Sequence, residues 1–342
     1  MPTNVGRKNK GRRKPAGSAP SRGDEEQLQS RTKQATESGP RSGAAERHVS
    51  VSSPAARAAE SATPRGETEL PFKGWPAQAE AGRPRGRLLD AWHATYSSPL
   101  IIGLLKSRPP VVEAALEFVS DPDDRQQVTD TTAFPYRCIC FLIITAADGT
   151  LWQGTGWFAS PRLVVTAGHD VFSARQGGWA KQIEVFPACN GNDTPFGSSV
   201  SSDFRSVKGW VEALDPDTPD AQASDYGAIL LPESSPVGYF GYASLSDTEL
   251  QSMLVNVYGY PSDKPDRTLW GHYRLLSQLG PRQLFFKIST AAGQAGSPVF
   301  IKEGDHRTVV GIHNYGGTST NFATRITENV FDTIEGWKAE VS

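Results

Sequence analysis

Three stretches of this chain carry residues able to handle protons and acyl groups. Leu163–Asp170 reads LVVTAGHD, a β-branched apolar run that delivers His169 at a strand-to-turn junction. Ser224–Leu231 reads SDYGAILL and places Asp225 at the opening of a second such run, where its carboxylate could orient an imidazole. Ser289–Phe300 reads STAAGQAGSPVF, a loop of small residues in which Gly293 and Gly296 bracket Ala295, with Ser297 and Pro298 following. A histidine serves as general base near neutral pH when a carboxylate fixes its tautomer and stabilises the imidazolium.

The elements that must hold these residues are β-strands. Tyr136–Thr145, Gln153–Ala159, Leu163–Val165, Ile183–Phe186, Gly227–Leu231, Leu254–Tyr258, Leu284–Ile288, Val299–Ile301 and Val309–His313 are short apolar runs separated by Gly, Pro, Asn and Asp clusters. Many short strands without helical crossovers predict an antiparallel barrel or sandwich. Thr327–Glu340 closes the chain as an amphipathic helix, with Val330, Phe331, Ile334 and Trp337 on one face. Ahead of the β region, residues 71–118 hold two short helical patterns, one with Leu88, Leu89, Trp92 and Tyr96 and one after Pro109-Pro110. They read as a packed extension or a pro-region. Residues 1–70 almost lack large apolar side chains, cannot offset their ordering entropy, and read as a disordered tail. The basic cluster Arg7, Lys8, Lys10, Arg12, Arg13 and Lys14 has no aromatic residue among its charges and reads as a solvated tail, not a nucleic-acid site.

Net charge is −2, which implies no general attraction to nucleic acid or membrane. No run of about 18 apolar residues is present, so no transmembrane helix is expected. The basic N-terminus lacks the apolar core of a secretory signal. The three cysteines, Cys138, Cys140 and Cys189, are sparse and odd in number. Cys138 and Cys140 face one side of a strand, a poor geometry for a mutual bridge. An intracellular, reducing compartment is the expectation. No Cys/His cluster has metal-ligand spacing, and neither a metal nor another cofactor is expected.

The order His169, Asp225, Ser289–Phe300 loop is that of the chymotrypsin superfamily, and the chain resembles its V8-like glutamyl endopeptidases in particular. The likeness runs in register through DDR (Asp123–Arg125), TAFPYR (Thr132–Arg137), GTGW, TAGH, DYGAI, GYFGY (Gly238–Tyr242), GYPSDK (Gly259–Lys264), GQAGSPVF and TRIT (Thr324–Thr327). It spans the chain from about residue 119 to the C-terminus. It implies an all-β double six-stranded barrel with the site in the cleft between lobes, and three parts: residues 1–70, 71–118 and a protease domain over 119–342. It also implies that His169 is the general base, Asp225 its partner, and the N–H groups of Gly293 and Ala295 an oxyanion hole. His313 and Thr290 take the positions that bind a substrate carboxylate, implying cleavage after Glu, with Asp weaker.

The same register puts Ala295, not Ser297, at the position of the nucleophilic serine. Without that hydroxyl no acyl-enzyme forms. Two readings follow: a serine protease whose serine has been replaced, or a natural pseudoprotease serving as a peptide-binding or scaffold module. His169, Asp225 and Gly293 are all retained, which favours the first. Glu117 is a candidate self-processing site, since cleavage there would free Phe118. The expected partners are protein or peptide substrates, with a single dedicated partner protein as the narrower alternative. His272 reads equally as support for the site or as a surface residue, His93 as a packing residue, and His48 and His306 carry no signal.

Overall fold

Runs of β-branched and aromatic residues make extended pairs, and their pairing decides which loops meet. A computed structural model of the chain describes residues 45–55, 118–120, 122–317 and 319–342. Two short strands come first, β1 (Ser50–Ser52) and β2 (Gln126–Gln127). The first lobe continues with β3 (Ile139–Thr145), β4 (Leu151–Ser160), β5 (Leu163–Thr166), β6 (Phe172–Ser173), β7 (Gly178–Trp179), β8 (Gln182–Pro187), β9 (Ser199–Ser201), β10 (Phe204–Val207) and β11 (Gly227–Leu230). The second holds β12 (Gly241–Tyr242), β13 (Leu254–Gly259), β14 (Trp270–Leu279), β15 (Gln283–Phe286), β16 (Pro298–Glu303), β17 (His306–Gly316) and β18 (Asn321–Arg325).

The second lobe closes: β17, β16, β13, β14, β15 and β18 are neighbours in that order, and β18 returns to β17. The first lobe pairs as an open sheet, β1-β10-β11-β5-β4-β3-β8-β9. This differs from a second closed ladder: the outer edge of β10 carries β1, and at the other end β9 pairs with β8. The sheet still curls on itself: Ser201 Oγ donates to the Leu230 carbonyl at 2.6 Å, and Leu230 N–H to the Asp203 carbonyl at 2.9 Å. The fold class is that of a chymotrypsin-like, all-β two-lobed domain with a C-terminal helix.

One apolar core joins the lobes. Trp157 of β4 lies edge-on to Phe240 and Tyr242, each with ring centres 6.1 Å away, and Phe240 packs on Phe300 of β16 at 5.2 Å. All four rings are fully buried. The helix Glu328–Ala339 buries Val330, Phe331, Ile334 and Trp337, the face its periodicity predicts, and Thr327 caps it by accepting from Val330 N–H.

The tail needs correction. Residues 45–55 fall in the stretch assigned to disorder, yet Ser50–Ser52 pair with Val207–Arg205 of β10. This strand is held by backbone and serine hydrogen bonds with little apolar area, so composition gives no sign of it. The helical patterns within 71–117, His93 and Glu117 lie outside the described residues. Trp337 is 1% exposed, and its indole N–H donates to Ser50 Oγ at 2.8 Å. Trp337→Ala is expected to cost about 3–5 kcal/mol in urea unfolding, and Ser50→Ala about 1 kcal/mol.

Candidate active site

Pairing of β5 with β11 builds the first half of the site. The register sets Thr166 opposite Gly227, so the chain just after β5 and the chain just before β11 leave the sheet side by side. The first turns into a short helical segment, Gly168–Val171, that carries His169. The second carries Asp225. The carboxylate grips the histidine twice: Oδ1 accepts from His169 N–H at 2.8 Å and Oδ2 lies 2.7 Å from Nδ1. Asp225 is fully buried. A carboxylate on Nδ1 selects the tautomer protonated there, which puts the basic lone pair on Nε2.

The second lobe supplies the facing loop. Thr155 of β4 stitches it across, with N–H donating to the Ala295 carbonyl at 2.9 Å and Oγ1 to the Gly293 carbonyl at 2.8 Å. Gly293 has φ +93°, and a side chain there would run into the Gln153 amide and the Tyr260 carbonyl. Among the described residues, no backbone carbonyl accepts from the N–H of Gly293 or of Ala295. Inside the loop, Gln294 is fully buried, and its Oε1 accepts from Ala291 N–H at 3.0 Å and Arg125 Nη1 at 3.3 Å. Arg125 is itself clamped by Asp123 and Asp263. Hydrogen bonding to Arg125 holds the Asp123 carboxyl well below the usual carboxylate range.

His169 and Ala295 line one cleft, with Trp210, Gly293 and Tyr315. The neighbouring serine is excluded from it. Ser297 is fully buried, and its hydroxyl donates to the Gln294 carbonyl at 2.6 Å. The arrangement therefore offers an oriented base and two backbone N–H groups around a methyl group.

His313 and Thr290 do not line that cleft. Both are fully buried in the second lobe. His313 Nδ1 is 3.2 Å from the Phe322 carbonyl, and its ring lies 5.7 Å from that of Phe286. Thr290 N–H donates to the Phe118 carbonyl at 3.1 Å, while its hydroxyl has no hydrogen-bond partner among the described residues. Their chain neighbours Asn314, Tyr315, Ala292 and Gly293 are the ones that reach the cleft.

Several residues of the site escape sequence reading. Asn314 Nδ2 donates to the Asp225 carbonyl and to Thr324 Oγ1, fixing the peptide that carries the carboxylate. Tyr315 covers the pair, with its ring 5.7 Å from His169. Burial and the nearby Asp225 charge push its hydroxyl far above the usual tyrosine value. His272 lies 3.6 Å from Asp124, which in turn accepts from Ser289 Oγ at 2.8 Å at the base of the loop. His48, expected to carry no signal, meets the Tyr226 hydroxyl at 2.8 Å. The cysteines are free and buried, and burial pushes the Cys189 thiol up to about 12.

A second carboxyl flanks the imidazole. Asp170 Oδ1 lies 3.9 Å from His169 Nε2, and Asp170 accepts from Thr166 Oγ1 at 2.5 Å. Gly154 leaves it room, because a β-carbon there would come within 2.7 Å of its Oδ2. Burial pushes the Asp170 carboxyl up to about 7, partly offset by His169 and Thr166.

This two-lobed fold, with an Asp-held histidine facing a glycine-bracketed loop, defines the chymotrypsin class of peptidase domain. No protein-family model matches the chain. It is 35% identical over 243 residues to the glutamyl endopeptidase of Bacillus licheniformis, covering 68% of this chain and 73% of that protein. It is 29% identical over 211 residues to the glutamyl endopeptidase of Staphylococcus epidermidis, covering 61% of this chain and 70% of that one. A Bacillus subtilis protein named extracellular metalloprotease is 36% identical over 219 residues, covering 63% of this chain and 68% of its own. Among the described residues no three His, Cys, Asp or Glu side chains converge as metal ligands. A solved structure of a Glu endopeptidase in complex with MPD superposes with TM-score 0.54 at 23% identity, covering 63% of this chain and 96% of that one. The chain belongs to the glutamyl endopeptidase family of V8-like serine proteases. No helix among the described residues is long and apolar enough to cross a membrane.

The Asp170 carboxyl sets a pH dependence. Because the folded state keeps its proton to about pH 7 while the unfolded chain releases it near pH 4, this group's contribution to stability declines as pH rises through that window. Asp170→Asn cannot ionise. It is expected to match the parent near pH 4 and to exceed its stability at pH 8 by up to about 4 kcal/mol, read from chemical unfolding at the two pH values.

Proposed function

We propose that the cleft is the site of a serine endopeptidase that cuts after Glu, with Asp weaker, and that Ala295 stands in the place of its nucleophile. The observation that carries this is the position of residue 295. It shares the cleft with a histidine whose Nδ1 is held by Asp225 at 2.7 Å, while Ser297, the serine of the same loop, is buried outside the cleft and bonded to Gln294. Such a histidine is poised to take a proton from a serine hydroxyl and return it to the leaving amine. The N–H groups of Gly293 and Ala295 would receive the developing oxyanion.

His313 and Thr290 are assigned to the substrate glutamate. Support comes from the Thr290 hydroxyl, which is buried without a partner among the described residues and can donate to an incoming carboxylate. A protonated His313 would add a charge-assisted bond. Both lie behind the cleft surface, so the glutamate side chain would have to enter between Ala292 and Asn314 to reach them.

As it stands the chain binds Glu-containing segments without cutting them. The undisturbed surroundings of Ala295 favour a replaced serine over a naturally drifted pseudoprotease or scaffold. The codon at this position in the natural gene separates the two. The thiols and the lack of disulfides among the described residues keep the intracellular expectation as part of this proposal.

Ala295→Ser is expected to raise turnover on Glu peptides by about 10⁶, and adding His169→Ala should abolish the gain. In that active background Thr290→Val or His313→Ala should lower the preference for Glu over Gln at the cleavage position by about 10-fold or more, a difference of roughly 1.4 kcal/mol. Peptides with Glu, Asp, Gln and Lys at that position provide the measurement. A product beginning at Phe118, seen by mass spectrometry of the Ala295→Ser protein, is the expected sign of processing after Glu117. Equal cleavage after all four residues would overturn the specificity.

A further inference from the structure

The N-terminal stretch Arg47–Ser53 is built into the protease domain as a ligand would be. Its β1 adds to the edge of β10, with Lys208 N–H donating to the Val49 carbonyl at 3.0 Å and Ser53 N–H to the Phe204 carbonyl at 3.0 Å. Ser53 is 1% exposed, and its hydroxyl serves both directions, donating to the Ser202 carbonyl at 3.1 Å and accepting from Phe204 N–H at 3.2 Å. Added-strand recognition has this form: main-chain pairing supplies affinity and side-chain pockets supply register.

The anchor side chains converge on one buried ring. His48 Nδ1 lies 2.8 Å from the hydroxyl of Tyr226, which is fully buried, and the Tyr226 ring packs on Trp337 at 5.6 Å. Trp337 in turn holds Ser50. Tyr226 follows directly on Asp225, whose carboxylate grips His169. The strand is therefore one residue removed from the group that orients the imidazole. Between its end and Phe118 stand more than sixty residues of chain, so whether the strand's own contacts or this tether hold it in place is decided by cutting the tether.

We propose that Arg47–Ser53 is a clasp: a strand ligand of the groove formed by β10, Tyr226 and the C-terminal helix, retained without its covalent link and acting as a positioning element for Asp225. It does not depend on the nucleophile or on the substrate proposed above. Clasp removal loosens Tyr226, and the adjoining peptide then no longer fixes the Asp225 carboxylate against His169.

The test uses the full chain as it is, with Ala295, and a site-specific protease sequence inserted between residues 56 and 117. After cutting, gel filtration and native mass spectrometry are expected to find the N-terminal fragment bound one-to-one to the rest. Val51→Pro, which removes a ladder donor opposite Ser206, is expected to release it, and His48→Ala to weaken it about tenfold. NMR of the His169 ring gives the positioning readout: release should shift its titration midpoint by about one pH unit, a tenfold change in its protonation equilibrium. A synthetic peptide of residues 45–55 should restore it. Departure of the fragment from the unaltered cut chain would overturn the clasp. Release that leaves the His169 titration unchanged would overturn its positioning role.

Discussion

The double grip of Asp225 on His169 is the constraint on which the rest of this domain depends. A single hydrogen bond to Nδ1 would fix the tautomer and leave the ring free to swing. The second bond, to the backbone N–H of the same residue, locks carboxylate and main chain together. Both require the β5–β11 register, because a shift of one residue would turn Asp225 to the opposite face of the sheet. The buried carboxylate is tolerable only because its lone pairs are used by His169 and by the Tyr315 hydroxyl, while Asn314 holds the backbone carbonyl of the same residue.

The facing half is held by different means. The loop around Ala295 has one large anchoring side chain of its own, the buried Gln294, and other anchors reach in from outside. Thr155 binds it from the first lobe, and Arg125 binds its Gln294 from beneath. The loop is thus tied down along its length by hydrogen bonds to residues on either side of it. None of these anchors uses the side chain of residue 295, so the frame around it stands whatever that side chain is.

Much of this was legible in the sequence where chemistry and local pattern coincide. His169, Asp225 and Gly293 stand at the ends of strongly apolar runs or in a glycine turn, and the C-terminal helix carries its buried face at regular spacing. The strand β14 was not legible: Tyr273 and Leu275 are about half exposed, so its residues lack the alternation that marks a half-buried strand. Strand β1 left no trace either, since serine hydroxyls and main-chain groups hold it in place of apolar area. Asn314 and Tyr315 act through contacts made only when β17 meets the Asp225 loop. Asp170 is a polar residue beside a histidine in the sequence, and only its burial in the fold raises its carboxyl to about 7.

The placement of β1 also bears on where this domain can be trimmed. Homology would set the N-terminal limit far downstream of β1, since the likeness to the Bacillus licheniformis enzyme covers only 68% of the chain. A chain started there would leave the outer edge of β10 as a bare row of main-chain donors and acceptors, the kind of border along which sheets of separate molecules join. Shortened forms would then tend to associate edge to edge, and the smallest well-behaved recombinant version of this domain begins ahead of Arg47.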